Sequence, residues 1–334
     1  MWPGLARVSF HERQTMDYLT TARQDAHQTL DVMVVGEALI DVVTTSDDQV
    51  EHPGGSPANV AYGLGRLGVT TGLLTAIAPD ARGISIENHL RSAGVILLPG
   101  SKSLTRTASA TATLAPDGSA RYDFDISWDL APTTPAYFPK ILHTGSIATF
   151  LSPGAGAVKS LLEQAHKHCM ITYDPNIRPA LLGSHAEAKA TFEELVALTD
   201  VVKLSDEDAQ WLYPQKSLEE TAAHILGLGT RLTVITKGAH GSQFTSAAAN
   251  ISIPAVKTTV ADTIGAGDSY MSALILGFLT RGTEGIAPAV LEQLGHTAAA
   301  AAAITVQRPG SNPPTLEELN MALGNHPAAQ YAGS

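Results

Sequence analysis

The residues best suited to chemistry lie in the stretch VADTIGAGDSYMSALILGFL, from Val260 to Leu279. Gly265, Ala266 and Gly267 give the backbone unusual freedom, and an acid, Asp268, follows them at once. Apolar residues then recur three and four positions apart, which predicts a helix beginning near Ala266 or Gly267. The first amide groups of a helix lack partners and carry partial positive charge, so this junction could cradle an anion.

Asp268 itself has two interpretations. In the first turn of a helix, an acid can simply compensate the helix dipole. Alternatively, an ionised carboxylate beside an anion hole can take the proton from a hydroxyl that attacks the anion. Phosphoryl transfer to an alcohol needs this pair, because donors must neutralise charge on the transferred group while a base accepts the proton. The local pattern leaves both interpretations open, and the catalytic one requires a place for the alcohol.

A candidate place for the alcohol lies near the amino end of the chain. Asp41 follows the first predicted strand, and the stretch HPGGSPANVAYGLGRLG comes shortly after it. Gly54 and Gly55 permit a tight turn beside a ligand, and Asn59 lies on the helix that the next residues predict. Asp41 and Asn59 together would suit a polyhydroxylated molecule, although loop solvation and capping would explain the same residues.

The same stretch contains a match to the dinucleotide-binding pattern G-x-G-x-x-G, at residues 63–68. That fingerprint binds pyrophosphate only where it follows a strand and opens a helix. Here the glycines close a predicted helix and precede the predicted strand TGLLTAIA. The pattern therefore disfavours a nicotinamide-dependent dehydrogenase, which remains an alternative from another enzyme class. A P-loop, G-x-x-x-x-G-K-[ST], is absent from the sequence.

The elements that must position these residues alternate along the chain. Short β-branched runs predict buried strands, and patterns such as AGAVKSLLEQAHKH and SLEETAAHILGLG between them predict helices. The predicted strands are 31–36, 140–145, 169–175, 200–205 and 231–238. This alternation predicts an α/β fold with a doubly wound parallel sheet, whose ligands bind at the carboxyl ends of the strands.

One segment interrupts this alternation, from Arg106 to Ser127. Partial period-2 alternation flanks a Pro116-Asp117-Gly118 turn signal, which predicts an inserted hairpin. A hairpin cannot bury both of its faces alone, so we expect it to pack on the main domain, on a partner subunit or over a ligand as a lid. Trp128 and Asp129, which follow it, are expected to touch the ligand beneath such a lid or a partner subunit.

Composition limits the remaining function classes. The 334 residues are 44% hydrophobic and 16% charged, with a single cysteine and no apolar run long enough to cross a bilayer. The net charge of -11 and the scattered basic residues argue against nucleic-acid binding. We expect a cytoplasmic protein with a leader over residues 1–30, one domain over 31–325 with a lid from about 41–55 and 104–128, and a tail over 326–334.

Taken together, the two glycine-rich stretches give the sequence a resemblance to the ribokinase-like, PfkB-type carbohydrate kinases. It resembles them from about residue 31 to 323. GGSPANVAYGLGRLG is similar to the amino-terminal signature of that family, and DTIGAGDSYMSALILGFL is similar to the carboxyl-terminal one. The resemblance implies a doubly wound, mostly parallel sheet flanked by helices, with a small β-sheet lid. It also implies ATP as the phosphoryl donor, Mg²⁺ as a cofactor and a sugar hydroxyl as the acceptor.

The resemblance also implies roles for particular residues. Asp268 would be the base, and the backbone of Gly265, Ala266 and Gly267 would form the anion hole. The residues expected at the sugar are Asp41, Gly54, Gly55, Asn59, Arg106 and Arg178. The residues expected at the nucleotide are Lys203, Ser205, Thr236, Lys237, Gly238 and Gly241.

Metal positions follow from the same resemblance. KLSDEDAQWL resembles the N-x-x-E region of the family, with Ser205 in place of Asn and Asp208 in place of Glu. Asp208 would thus act on Mg²⁺ through phosphates or water. Asp262 resembles part of a monovalent-cation site, for which K⁺ is the candidate ion.

The stretch YDPNIRPALL reduces the number of candidate sugar acceptors. D-P-N-x-R after a strand resembles the fructokinase and 2-keto-3-deoxygluconate kinase branches, and the hairpin with Arg106 favours fructokinase. Leu181-Leu182 departs from the Leu-Trp that often follows in fructokinases. The alternatives are 2-keto-3-deoxygluconate kinase, ribokinase, a nucleoside kinase or a non-catalytic sugar sensor. The lid predicts a homodimer.

Overall fold

The predicted alternation of strands and helices is present in the three-dimensional structure. A computed structural model describes residues 30–44, 48–114, 120–281 and 287–324. The strands are Val32–Val35 (β1), Leu39–Thr44 (β2), Gln49–Gly54 (β3), Thr71–Leu74 (β4), Ile96–Leu97 (β5), Ser109–Leu114 (β6), Ala120–Asp125 (β7), Ile141–Gly145 (β8), Met170–Asp174 (β9), Val201–Ser205 (β10), Leu232–Thr236 (β11), Ser242–Ser246 (β12) and Asn250–Ile253 (β13). The helices in these ranges are Ser56–Arg66 (α1), Ala81–Ser92 (α2), Gly154–Ala165 (α3), His185–Val196 (α4), Asp206–Leu212 (α5), Leu218–Gly227 (α6), Ala266–Arg281 (α7), Pro288–Thr305 (α8) and Leu316–Gly324 (α9).

The larger sheet has nine strands in the order β13-β12-β11-β10-β9-β8-β1-β4-β5. Its strands from β11 to β5 pair in parallel, and β12 and β13 add an antiparallel edge. The strands β1, β4, β8 and β9 are buried along their whole length, because helices cover both faces of the sheet. The doubly wound, mostly parallel α/β fold is confirmed, and the five predicted strands are present to within two residues.

The order of the strands also locates the expected ligand site. β1 lies between β4 and β8, so the chain adds β4 and β5 on one side of β1 and later crosses over to add β8 and β9 on the other side. Such a switch point opens a crevice at the carboxyl ends of the strands. Glu37 follows β1, Ser146 follows β8, Asp174 ends β9 and Ser205 ends β10. Polar side chains from distant parts of the sequence therefore meet at one edge of the sheet.

The smaller sheet has four strands in the order β3-β2-β6-β7. β6 and β7 pair antiparallel from Ser109–Asp125 to Leu114–Ala120, which confirms the predicted hairpin. The predicted turn at residues 116–118 lies outside the described residues. β2 pairs with β6 in parallel and with β3 antiparallel, so residues on both sides of α1 build this sheet.

Helices α1 and α7 bring the two glycine-rich stretches together. Gly63 lies so close to Ser272 that a Cβ at position 63 would be 2.5 Å from the serine Oγ. Ser272 Oγ in turn donates to the carbonyl oxygens of Val60 and Asp268. The G-x-G-x-x-G pattern thus lies at the end of α1 and serves helix packing, and the dehydrogenase alternative is wrong.

Trp128 has a different role from the one predicted. It is buried, its Nε1 donates to the carbonyl oxygen of Ala148 at 2.9 Å, and its ring packs against Gly154. An indole in this position fills the core beneath the hairpin. The expectation that Trp128 touches sugar or a partner is therefore wrong, whereas Asp129 beside it is exposed.

Two further expectations concern the ends of the chain and membranes. The predicted leader lies outside the described residues except for Leu30, and the predicted tail at 326–334 lies outside them entirely. Among the described residues, no helix combines the length and apolar character that a membrane span requires.

Candidate active site

A cavity of about 940 Å³ lies between the carboxyl edge of the larger sheet and the inner face of the smaller one. It brings together ten of the residues that the sequence singled out. These are Asp41, Gly55, Asn59, Arg178, Lys203, Ser205, Asp208, Gly265, Gly267 and Asp268. Leu39, Ala110 and Phe124 of the smaller sheet, together with Ile126 just after β7, form an apolar wall of the same cavity. A polar floor and an apolar wall are typical of small-molecule sites.

Asp268 lies in the first turn of α7 and faces this cavity. Ser56 Oγ donates to its Oδ1 at 2.6 Å, and Asn59 Nδ2 donates to its Oδ2 at 2.9 Å. Both donors lie on α1, so the packing of α1 on α7 fixes the orientation of the carboxylate. Asp268 shares the cavity with Asp41 and Asn59, as the phosphoryl-transfer hypothesis requires.

The electrostatics of Asp268 suit a group that accepts a proton. Burial raises the pKa of its carboxyl, because the charged form loses solvation. The bonds from Ser56 and Asn59 oppose this rise, as do the positive charges of Lys203 and Arg178. A carboxyl whose pKa is moved toward neutrality is a stronger base than an exposed aspartate and can still be ionised.

The predicted anion hole is partly open to the cavity. Gly265, with φ of 75°, and Gly267 line the cavity, and α7 begins between them at Ala266. The N–H of Ala266 donates to the carbonyl oxygen of Thr263 at 3.3 Å, and Ala266 does not line the cavity. Two of the three predicted positions therefore face the cavity.

The predicted sugar-binding residues near β3 are Asp41, on the neighbouring strand β2, and two glycines, of which Gly54 ends β3 and Gly55 follows it. A Cβ at Gly54 would lie 2.0 Å from Asp41 Oδ2, so Gly54 leaves room for that carboxylate although it does not line the cavity. Gly55, with φ of 96°, lies against the carbonyl of Glu37. Burial raises the pKa of Asp41 to about 6, against the opposing charges of His52 and Arg178.

The two predicted sugar-binding arginines differ in position. Arg178 lines the cavity, and its Nη1 donates to the carbonyl oxygen of Ile177 at 3.0 Å. Arg106 is exposed, forms an ion pair with Asp125 and does not line the cavity. The structure thus brings Arg178, but not Arg106, to the other candidate residues.

Lys203 on β10 is buried at the floor of the cavity. Its Nζ donates to Asp174 Oδ2 at 2.7 Å, and both side chains are almost inaccessible to solvent. Burial alone would lower the pKa of Lys203, but the charges of Asp174, Asp268 and Asp208 outweigh it and raise that pKa. Burial raises the pKa of Asp174 to about 6, even though Lys203 opposes the rise. Near pH 7 the two groups therefore form an ion pair.

Ser205 and Asp208 form the start of α5. Ser205 Oγ accepts from the N–H of Asp208, while Asp208 Oδ2 accepts from the N–H of Ser205 at 3.0 Å. Asp208 Oδ1 accepts from the N–H of Ile177. This capping box explains why Ser and Asp occur here, and it leaves the Asp208 carboxylate fixed at the cavity wall.

The residues around Asp208 fit a Mg²⁺ ion that keeps water and phosphate ligands. Among the described residues, no group of three or more acidic, histidine or cysteine side chains is arranged to hold a metal. Mg²⁺ commonly takes one or two carboxylates and completes its shell with water and substrate phosphates. Glu207 and Asp208 both line the cavity and would supply those carboxylates.

The predicted nucleotide loop lies beside the cavity and does not line it. Thr236 ends β11 in register with Ser205, which does line the cavity. The N–H of Lys237 donates to the carbonyl oxygen of Gly241, and this bond closes a turn around Gly238. These four positions therefore lie one strand away from the cavity wall, on a separate surface.

Asp262 links the two segments that resemble a monovalent-cation site. Its Oδ1 accepts from the N–H of Ile264 at 3.0 Å, and its Oδ2 accepts from the N–H of Gly310 at 2.8 Å. The carboxylate thus joins the loop before α7 to the loop at 308–314. This bridge holds Ser311 against Gly265 at the anion hole.

Sequence reasoning missed three buried polar residues at the cavity: Glu37, Ser56 and Asp174. Glu37 accepts from the N–H of Ala148 at 3.1 Å, and burial raises its pKa to about 8. Glu37 follows the buried strand β1, and Asp174 ends the buried strand β9. Their position at carboxyl strand ends was the available signal. For Ser56 the only signal was its place before the helix that carries Asn59.

The fold and the cavity define a doubly wound α/β protein in which a buried carboxylate faces a glycine-lined helix start. Residues 29–318 match the family model described as pfkB family carbohydrate kinase. The chain belongs to the pfkB family of carbohydrate kinases. The recognition that rested on its two glycine-rich motifs is confirmed, and the protein is a sugar kinase.

Individual relatives agree with this assignment. A fructokinase of Rhizobium leguminosarum bv. trifolii is 33% identical over 256 residues, which cover 73% of this chain and 78% of the relative. An uncharacterized sugar kinase of Pyrococcus horikoshii, solved in complex with ATP, has a TM-score of 0.72 and 26% identity over 87% of this chain and 99% of that one. A Vibrio cholerae fructokinase with bound fructose, ADP and calcium has a TM-score of 0.75 at 23% identity, covering 87% and 97%, which shows the shared fold.

Proposed function

We propose that this sugar kinase transfers the γ-phosphoryl group of Mg-ATP to the primary hydroxyl of fructose. The observation that carries the proposal is the position of Asp268. Its carboxylate lies beside Gly265 and Gly267 in a cavity that also contains Asp41 and Asn59. The proposed base, anion site and polyol site thus line one cavity.

Each of these residues has a separate role in the proposed reaction. Asp41 accepts hydrogen bonds from sugar hydroxyls, and the primary hydroxyl points at Asp268. As the oxygen attacks the γ-phosphorus, its proton passes to Asp268, the new P–O bond forms and the bond to the β-phosphate oxygen breaks to release ADP. Gly265, Gly267 and Lys203 stabilise the charge on the transferred group. Exclusion of water by the apolar wall suppresses hydrolysis.

The donor and the metal belong to the same proposal. The Pyrococcus relative was solved with ATP, and the helix start at α7 suits the terminal phosphate of a nucleotide. Mg²⁺, when bound, neutralises charge on the phosphate oxygens, and Glu207 and Asp208 would hold it. Thr236, Lys237, Gly238 and Gly241 would contact the nucleotide on the surface beside the cavity, and Asp262 would hold K⁺.

Because ATP is abundant in the cytoplasm, we expect the enzyme there.

The charges around the cavity favour a neutral acceptor. Six carboxyl groups line it: Glu37, Asp41, Asp174, Glu207, Asp208 and Asp268. The basic side chains that line it among the described residues are Arg178 and Lys203, and Lys203 is paired with Asp174. An acidic sugar such as 2-keto-3-deoxygluconate would meet a net negative site. Fructose brings no charge, and the fructokinase relative supports the same choice.

A coupled assay of ADP release tests the acceptor. Fructose, 2-keto-3-deoxygluconate, ribose and a nucleoside are compared at equal concentrations with Mg-ATP. We expect the highest kcat/KM with fructose. Absence of fructose-dependent ADP release would remove this acceptor, and a higher value with the acidic sugar would overturn the charge argument.

The quaternary structure is a second part of the proposal. β3 forms an edge of the smaller sheet, most of its residues are exposed, and Val50 on it is an exposed apolar side chain. Unpaired strand edges favour pairing with another chain. We expect a homodimer through the smaller sheets, and a monomeric mass by light scattering would contradict it.

A further inference from the structure

The ion pair between Lys203 and Asp174 is more deeply buried than surface pairs such as Arg106–Asp125. Removing two charges from water is costly, so a buried pair is weak evidence of a stabilising role. Asp174 Oδ1 is also buried without a hydrogen-bond partner among the described residues. A buried pair with an unsatisfied oxygen at a cavity floor calls for a functional explanation.

The position of the ammonium group suggests that explanation. Lys203 Nζ lies 3.0 Å from the point that a Cβ of Gly267 would occupy. The positive group therefore rests against the first turn of α7, one residue before Asp268. Among the described residues its hydrogen-bond partner is Asp174, so an ammonium with three donors retains N–H groups for oxygens that enter the cavity.

Several charged groups act on Asp268 from the surrounding elements. Lys203 on β10 and Arg178 after β9 favour its ionised form, and Ser56 and Asn59 on α1 donate to it. Three carboxyl groups repel it: Glu37 after β1, Asp41 on β2 and Asp174 at the end of β9. Lys203 is the buried cation of this set, and Asp174 is the residue that holds it in place.

We propose that Asp174 is a positioning residue that holds Lys203 between the anion hole and the catalytic carboxylate. The pair thereby sets the charge that Asp268 and the transferred phosphoryl group experience. Without Asp174, the ammonium of Lys203 would move toward Asp268 and form an ion pair with its carboxylate. Without Lys203, Asp268 would face the neighbouring carboxylates with less compensation. This inference rests on the proposed phosphoryl transfer, but it does not depend on which sugar is the acceptor.

Opposite shifts in the pH profile test this role. In Lys203→Met the loss of a cation should raise the pKa of Asp268 and move the acid limb of kcat/KM upward by roughly one pH unit. In Asp174→Asn the loss of a neighbouring anion should move that limb downward. We expect kcat to fall about 10²-fold or more in both, as when a single stabilising donor is lost. Lys203→Arg should keep the position of the limb while losing rate, because the charge remains but the Nζ geometry changes.

A direct titration covers variants that are too slow to assay. The carboxyl ¹³C resonance of Asp268, assigned by comparison with Asp268→Asn, reports its pKa whether or not any sugar is turned over. Thermal melting identifies variants that fail to fold, and such a variant is replaced by Lys203→Gln or Asp174→Ser. Shifts of opposite sign support the proposal. Unchanged limbs and resonances, or shifts of the same sign in well-folded variants, would overturn it even if a sugar other than fructose proved to be the acceptor.

Discussion

The two sheets differ in how deeply their strands and polar side chains are buried. In the larger sheet, β1, β4, β8 and β9 are buried throughout, and the polar groups at their carboxyl ends are buried with them. In the smaller sheet, β3 is largely exposed, and Arg106 and Asp125 form their ion pair in solvent. The groups proposed to react therefore lie where burial changes their pKa values, whereas the strand β3 and the Arg106–Asp125 pair lie on a more open surface.

The short segment between β1 and β2 shows this contrast most directly. Glu37 and Asp41 are four residues apart, but Glu37 follows a strand of the larger sheet and Asp41 lies on the smaller one. Burial raises the pKa of Glu37 to about 8 and that of Asp41 to about 6. Two carboxyl groups four residues apart thus differ in pKa because they are buried to different degrees.

The sharpest test of the comparison is the reactive carboxylate itself. We expect Asp268→Asn to lower kcat by about 10²–10⁴-fold, the contribution typical of a general base, while ATP binding changes little. Steady-state kinetics and calorimetric titration with ATP measure the two quantities. Ser269→Ala is the matched control, since its buried hydroxyl has no hydrogen-bond partner among the described residues. Near-normal turnover of Asp268→Asn would refute the assigned base.

The buried carboxyl of Glu37, at the end of the larger sheet, should make the free energy of unfolding depend on pH. An unfolded glutamate ionises near 4.5, whereas the folded protein retains this proton up to about 8. Unfolding therefore releases a proton between these values, and stability falls as the pH rises through that window. From about pH 6.5 to about pH 9 the loss should be about 2 kcal/mol.

Glu37→Gln should remove most of that loss, because the amide is neutral at every pH and can still accept from Ala148. Chemical denaturation at the two pH values provides the measurement. Glu219→Gln, an exposed change on α6, serves as the control. Equal pH dependence in wild type and Glu37→Gln would contradict the buried neutral acid.

Asp41 tests recognition at the smaller sheet. Loss of a hydrogen bond to a charged acceptor costs about 1.5–3 kcal/mol, so Asp41→Asn should raise the sugar KM by about 10–100-fold with a small change in kcat. In the wild type, KM should also rise as the pH falls through about 6 and the carboxylate is protonated. Asp123→Asn, an exposed change on β7, is the control. A fall in kcat without a change in KM would assign Asp41 to the chemistry instead.

The smallest expected effect is at Arg106. Because its ion pair with Asp125 is exposed, Arg106→Ala should change stability by less than about 1 kcal/mol and leave the sugar KM within about twofold. Arg178→Ala, at the cavity wall, is the comparison and should raise KM more. A large effect at Arg106 would show that the smaller sheet closes over the sugar and brings this arginine into the site.

Much of this architecture could be predicted from local sequence. Runs of β-branched residues predict the buried strands. Glycines followed by an apolar stripe predict the start of α7. Asp268 became the candidate base because it follows those glycines within a stretch that is similar to the carboxyl-terminal signature of the family. A hairpin pattern does not reveal which of its side chains face the cavity, the solvent or the core, so it could not predict that Trp128 is buried or that Arg106 lies in solvent.

The sequence by itself determined the alternating α/β pattern, the hairpin and the family, and it made Asp268 the candidate for the reactive carboxylate. Each of these depends on residues close together in the chain, where backbone geometry and periodicity act directly. The tertiary structure alone decided that Ser56 and Asn59 hold Asp268, that Asp174 holds Lys203 and that Glu37 is buried. Those contacts join residues separated by 29 to 212 positions, and burial, which changes their pKa values, exists only after the sheets and helices have packed.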